Sequence, residues 1–285
     1  MARMRLLLAA ALLLPAFGRE PLAQRIAHTD PSKFRHIKRV HAGAGELHYM
    51  GLFDAQTFNT NFIFLHRGVL APGGGIGHHF HNHMEEMFVI FDGEAQFTVN
   101  GRTSLVQGPA GAPCRMGSSH AIYNPTDKPV QWMNIAVGSI KGKYDATDLD
   151  DDRVGVPLDP KPVFITMKLE PNRQAKVTAM HGGKGTVSYR RVLTPEVFYT
   201  NWSYVDHVTI PAGASIGKHA KQGVEEFWYV ISGEGVARVG NEEARIKAGD
   251  AVPVFLGEAK SFESAGAGDL QMMVVGVART KWVLD

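Results

Sequence analysis

Between Gly73 and Gly93 the chain reads GGGIGHHFHNHMEEMFVIFDG, and within it Gly73, His79, His81, Glu86 and Gly93 keep the spacing G-x5-H-x-H-x4-E-x6-G. Two imidazoles separated by one residue on a strand share a face, because strand side chains alternate with period two. A carboxylate a few residues on, past a short turn, can come back beside them. A second stretch, Gly117 to Asn124, reads G-x2-H-x3-N and contributes His120. Three neutral nitrogen donors and one anionic oxygen form a hard-to-borderline ligand set. It suits Mn, Fe, Ni, Cu or Zn and leaves coordination positions for substrate, water or O2.

These two stretches resemble the paired motifs of the cupin superfamily. The first is matched at each defining position. The second keeps Gly117, His120 and Asn124 but has Arg115 where the family usually has proline, and Pro109 where it has its leading glycine. The resemblance implies a small antiparallel β-barrel with one divalent transition metal inside, Mn or Fe favoured and Ni, Cu or Zn possible. His79, His81, Glu86 and His120 would hold it.

Around this set stand candidates for catalysis. His83 shares the face of His79 and His81 on a regular strand and could act as a further ligand or an acid–base group. Arg115, two residues before Gly117, could hold a substrate carboxylate in a bidentate grip. Glu85 recurs as Glu225 beside a second copy of the motif that lacks the full ligand set. That recurrence suggests a structural role, such as an outward salt bridge or hydrogen bond.

The elements that must position these groups are β-strands. Runs of Val, Ile, Phe and Thr alternate with turn signals such as Asp92-Gly93 and Asn100-Gly101, which favours an all-β chain with tight hairpins. From residue 49 to about 138 the sequence also lies over itself at a shift of 140: Tyr49 on Tyr189, Asn61 on Asn201, His79 on His219, Glu86 on Glu226, Gly117 on Gly257. A repeat of this length means two copies of one fold, here two tandem cupin (double-stranded β-helix, or jelly-roll) barrels, so the resemblance is to bicupins. Residues 19–44 read as an arm packing over the first barrel, 45–140 as that barrel, 141–165 as a Pro- and Asp-rich solvated linker, and 166–285 as the second barrel with its own arm.

In the second copy the ligand positions read His219, Lys221, Glu226 and Lys260. A lysine ammonium offers no lone pair to a metal. One of the two lysines is expected to pair with Glu226 and supply the missing positive charge, since an unpaired buried carboxylate is costly. The alternative is a lysine-lined barrel that binds an anion or uses a lysine as base or amine nucleophile.

Composition bounds the rest. Residues 1–18 carry Arg3 and Arg5 before the apolar run Leu6 to Leu14. That is the pattern of a cleavable signal peptide and implies a secreted or periplasmic protein. Without that segment 28 Lys+Arg face 28 Asp+Glu, a balance that argues against nucleic-acid or anionic-membrane partners. The single cysteine, Cys114, allows no intrachain disulfide. The resemblance to bicupins, oxalate-decarboxylase-like ones among them, implies a metal-dependent enzyme of decarboxylase, oxidase or dioxygenase type acting on a small oxygen-rich substrate, carboxylate or sugar-derived. The competing reading is a non-catalytic metal- or ligand-binding barrel. A homodimer is compatible with either.

Overall fold

The computed structural model describes residues 20–285; the signal peptide expected at residues 1–18 lies outside them. The described chain folds into two jelly-roll barrels, each made of a large and a small antiparallel sheet. In the first barrel the small sheet runs Thr147–Asp151, Gly75–His81, Ser118–Tyr123, Glu94–Val99, Arg102–Gln107. Its large sheet centres on Met84–Ile90, Val130–Gly138 and Phe62–Leu70. The second barrel repeats this order, without a counterpart of Thr147–Asp151 among the described residues, with Ser215–Ala220 and Ala259–Ser264 in the small sheet and Val224–Ser232 and Leu270–Ala278 in the large one. Asn100 and Gly101 both have positive φ, 49° and 75°, the backbone that a tight hairpin of right-twisted strands needs.

Met84–Ile90 is buried at every position, and the reason is how the barrels meet. Phe88 and Ile90 point into the first barrel, while Met87 and Val89 pack with Phe62, Trp202, Phe227 and Tyr229 in a core shared by both barrels. The two large sheets therefore bury their outer faces against each other, which replaces the half-polar alternation of a one-sided sheet by a continuous apolar run. Among the described residues no helix is long and apolar enough to cross a membrane.

The arms are partly exchanged, so the expectation that residues 19–44 pack over the first barrel holds for their later part only. In that part Arg35–Lys38 pairs beside Glu46–Phe53, Val40 packs on the first-barrel core and His41 stacks on His79. Ala27–His28 instead adds to the edge strand Asp250–Val254 of the second barrel, and Leu22 and Ile26 are buried in its core. Reciprocally, Met167–Lys168 adds to Ala110–Cys114 of the first barrel. Each arm covers an edge that would otherwise present unpaired backbone groups. The Leu22 and Ile26 side chains contribute about 1.5–3 kcal/mol apiece by leaving water.

Candidate metal centre

The first-barrel ligand set is assembled by two neighbouring strands and one facing strand. His79 on Gly75–His81 lies directly opposite His120 on Ser118–Tyr123, with a bulge after His120. His81, two residues on, shares their face. Glu86 comes from Met84–Ile90 in the large sheet, across the barrel interior. One ligand atom from each of these four buried residues lies within 4.8 Å of the others. His120 Nε2 stands 3.0 Å from His79 Nε2 and 3.1 Å from His81 Nε2. Glu86 Oε1 is 3.7 Å from His81 Nε2, and its Oε2 is 3.5 Å from His120 Nε2.

Hydrogen bonds behind the cluster fix which atoms face inward. His79 Nδ1 donates to Gly77 O at 2.7 Å, and His81 Nδ1 donates to Asp145 O at 2.6 Å. Each ring therefore turns an Nε2 lone pair toward the centre. Asn134 Nδ2 donates to Glu86 Oε2 at 2.8 Å and orients the carboxylate. Phe88 lies flat on the His120 ring, with centroids 4.2 Å apart. Burial, then the neighbouring His120, pushes His79 down to about 2. Burial pushes His120 to about 4 against the pull of Glu86. Burial alone would raise Glu86, but His81 and the hydrogen bond with His120 offset it and hold the carboxyl well below its usual range. Imidazole nitrogens and a carboxylate thus converge on one point. Such a donor set fits a divalent cation, the kind of residue array that holds a catalytic metal when backed by orienting partners.

Of the cluster, His79 and Glu86 line a cavity of about 360 Å³ whose wall includes Leu47, Ile63, Phe64, Ile76 and Trp132, with Tyr49, His66 and Asn134 as polar groups. Its mouth is framed by residues that sequence reading placed elsewhere. His41 stacks on His79, centroids 4.0 Å apart. Its Nδ1 meets Asp148 Oδ1 at 2.5 Å and its Nε2 meets the Tyr144 hydroxyl at 3.1 Å. The stretch 141–165, expected as a solvated linker, does join the barrels, but it also lays Thr147–Asp151 along Gly75–His81, with Asp148 opposite His79. Asp145 caps the turn after His81, accepting from the backbone N–H groups of Asn82 and His83. His41 could have been found from the repeat: at the same shift it matches His181, which stacks on His219 in the second barrel. Both histidines sit in left-handed turns, φ 50° and 52°.

Neither expected catalytic neighbour reaches the cavity. Arg115 turns away to the barrel interface, its guanidinium 5.1 Å over the Tyr199 ring and 3.4 Å from the Tyr199 hydroxyl. His83 sits in the turn after Gly75–His81, where the break in alternation takes its side chain out of the ligand set; its carbonyl accepts from Ser139 N and Oγ. Glu85 is structural, as its recurrence suggested, but faces the other barrel rather than solvent. It accepts from Tyr199 N at 2.8 Å, Thr200 N at 2.8 Å and Thr200 Oγ1 at 2.6 Å. Glu225 accepts from Thr60 N at 2.7 Å and Asn59 Nδ2 at 3.2 Å in return.

In the second barrel Lys260 replaces His120 and makes a fully buried ion pair with Glu226, Nζ to Oε2 2.6 Å. Tyr204 donates its hydroxyl to Glu226 Oε1, and Trp228 Nε1 donates to Oε2 at 3.2 Å. Of the two lysines considered, Lys260 compensates the carboxylate. Lys221 reaches outward to the carbonyl of Leu284.

Comparison with known proteins agrees with this geometry. The cupin-domain family matches residues 66–136 and again 206–276. An oxalate-binding protein of Thermotoga maritima is 33% identical over 100 residues, 35% of this chain and 83% of that protein. Oxalate decarboxylase of Lactobacillus farciminis superposes with a TM-score of 0.64 at 14% identity, over 90% of this chain and 87% of that one. Oxalate decarboxylase of Bacillus subtilis, in a structure described for its Mn(II) centres, gives 0.59 at 17% identity over 89% and 78% of the two chains. At those identities the two superpositions speak for the fold alone. With two cupin domains in tandem and its ligand-type residues gathered inside the first, the chain belongs to the cupin superfamily and is built as a bicupin.

Proposed function

We propose that the first barrel is a single-metal enzyme site, with His79, His81, Glu86 and His120 as the ligands and Mn or Fe as the favoured ion. The observation that carries this is the convergence of inward-facing imidazole lone pairs and an ionised carboxylate, with His79 and Glu86 opening onto a cavity with room for a substrate. A bound divalent ion would supply Lewis-acid or redox chemistry to oxygen atoms of the substrate. Around it, Asn134 holds the carboxylate in place and the carbonyls of Gly77 and Asp145 hold the imidazole tautomers. Asp148 accepts from His41 Nδ1, which leaves His41 Nε2 as acceptor for the Tyr144 O–H. Burial, then Glu86 and Asp148, pushes the Tyr144 phenol up, so it stays protonated and can donate at the cavity mouth.

The wall narrows the substrate. Among the described residues that line the cavity there is no Lys or Arg, and hydrocarbon from Leu47, Ile63, Phe64, Ile76 and Trp132 predominates. A sugar would turn hydroxyls onto that hydrocarbon without partners, which is unfavourable. A compact dianion such as oxalate would fill little of about 360 Å³ and find no second cation. The fit is best for a carboxylate or enolate that presents two oxygens to the metal and an apolar or aromatic body to the wall. The leader expected at residues 1–18 extends this reading to an exported enzyme.

The test is metal content per chain of the purified protein after dialysis, repeated after reconstitution with Mn, Fe, Ni, Cu and Zn. One retained ion per chain, lost in the His79→Ala/His81→Ala variant, supports the site; none, or two retained equally tightly, overturns it. The binding-protein alternative draws support from the oxalate-binding relative. Exchange of metal-bound water in the Mn-loaded protein, read by water proton relaxation, separates the two: an enzyme keeps an exchangeable water and a closed binding site does not.

A further inference from the structure

The large sheet of the first barrel turns opposite chemistries to its two sides near Glu46–Phe53. Leu47 and Tyr49 face the cavity, so alternation turns Glu46 and His48 outward. On the neighbouring strand His36 stands directly opposite His48. Their rings stack with centroids 3.8 Å apart at an interplanar angle of 15°. His48 Nε2 lies 3.1 Å from Glu46 Oε2, and a ligand atom from each of His36, Glu46 and His48 lies within 4.8 Å of the other two.

We propose that His36, Glu46 and His48 form a second, solvent-facing site for a borderline divalent cation such as Zn²⁺, Cu²⁺ or Ni²⁺, separate from the barrel centre. Two imidazoles and one carboxylate on one sheet face are a three-ligand set that leaves a position for water. The paired strands already hold the two rings in register, so side-chain rotation alone brings three donors to one ion. The second barrel shows that the ladder does not require these residues. There the matching strands keep the same register with Lys176 opposite Ser188 and Thr178 opposite Thr186, and Lys176 Nζ donates to Ser188 Oγ at 2.8 Å. The same backbone carries ligand-type side chains in the first copy only. One group opposes a cation: Lys38, opposite Glu46, with Nζ 3.3 Å from Glu46 Oε1.

The experiment is calorimetric titration of Zn²⁺ alone into the metal-stripped full chain at neutral pH, comparing wild type, His36→Ala/His48→Ala and Lys38→Ala. Wild type is expected to show a tight class from the barrel and a weaker second class. The double variant should lose the weaker class and keep the tight one. Lys38→Ala leaves every ligand in place and removes a competing charge, so it should tighten the weaker class by roughly threefold. A double variant that titrates like wild type overturns the site. So does a Lys38→Ala variant with unchanged or weaker zinc affinity, which decides the matter even where the double variant fails to fold.

Discussion

The two barrels solve one problem in two ways. Each buries a glutamate at the same point of the same ladder, Glu86 opposite Ala136 and Glu226 opposite Gly276. In the first barrel the groups around Glu86 are three imidazoles, of which His79 and His81 turn a lone pair inward, beside an open cavity. In the second, Lys260, Tyr204 and Trp228 close on Glu226 and occupy the space. Tyr204 takes the place of Phe64 and needs Gly276 beneath it, where an added Cβ would stand 2.6 Å from its Cζ. The first barrel has Ala136 there. The exchange of His120 for Lys260 is thus one part of a set that turns a ligand site into a packed, internally neutralised core. The difference teaches that the buried carboxylate is kept by the fold and, on the proposed metal site, that the cation opposite it decides between chemistry and structure.

The largest effect should come from removing that cation where it is covalently built in. Lys260→Met leaves Glu226 buried without its ion-pair partner and is expected to cost about 3–5 kcal/mol in urea unfolding. Lys260→Met/Glu226→Gln should regain most of this. A single variant as stable as wild type would show that Tyr204 and Trp228 suffice to hold the charge, and the comparison would fail.

Stripping metal tests the same idea in the first barrel. An ion at a hundred times its dissociation constant stabilises the folded state by about 2.7 kcal/mol. Chelation should therefore lower hydrogen-exchange protection in Gly75–His81 and Ser118–Tyr123 by up to about a hundredfold, and leave Ser215–Ala220 and Ala259–Ser264 unchanged. Equal loss in both barrels would mean that the second also depends on metal. The stripped protein should further weaken as pH falls from about 6.5 to about 4. Folded His79 and His120 hold their pKa values near 2 and 4, so the unfolded chain takes up protons first and stability declines across that window. Glu86, depressed in the folded state, adds its own loss below the ordinary carboxylate range.

How far the sequence could be read follows from which information is local. His79, His81 and Glu86 were readable because a strand and a turn fix their relative positions within a few residues, His120 because the second stretch resembles the other cupin motif, and the repeat because it carries no insertion. That a lysine pairs with Glu226 followed from charge balance; that it is Lys260 and not Lys221 came from the structure. Three things did not follow. The exchange of Ala27–His28 and Met167–Lys168 depends on which sheet edge lies nearest in space. Tyr144 reaches the cavity, and Asp148 reaches His41 at its mouth, from a Pro- and Asp-rich stretch that has no apolar periodicity to announce a strand. Arg115 and His83 were assigned by proximity in sequence to the ligands, yet one turns to the neighbouring barrel and the other sits in a turn.

The smallest effect sharpens the comparison at the interface, where the two barrels are nearly but not fully equivalent. Glu85 and Glu225 reach across to the same backbone position of the opposite barrel, Thr200 and Thr60. Thr200 Oγ1 also donates to Glu85, whereas Thr60 Oγ1 is buried without a partner. Glu85 further accepts from Tyr199 N, where Glu225 has the Asn59 side chain. Hydrogen bonds to a charged acceptor are worth about 1.5–3 kcal/mol each and one to a neutral group about 1. Glu85→Gln should therefore be the more destabilising of the two by about 1 kcal/mol, read from paired urea midpoints with equal slopes. Thr200→Val should close that gap, because it removes the one side-chain hydroxyl that only the Glu85 side uses. If Glu225→Gln proves equally or more costly, the asymmetry lies in packing around the two carboxylates rather than in the hydroxyl, and the interface is better described as a symmetric clamp.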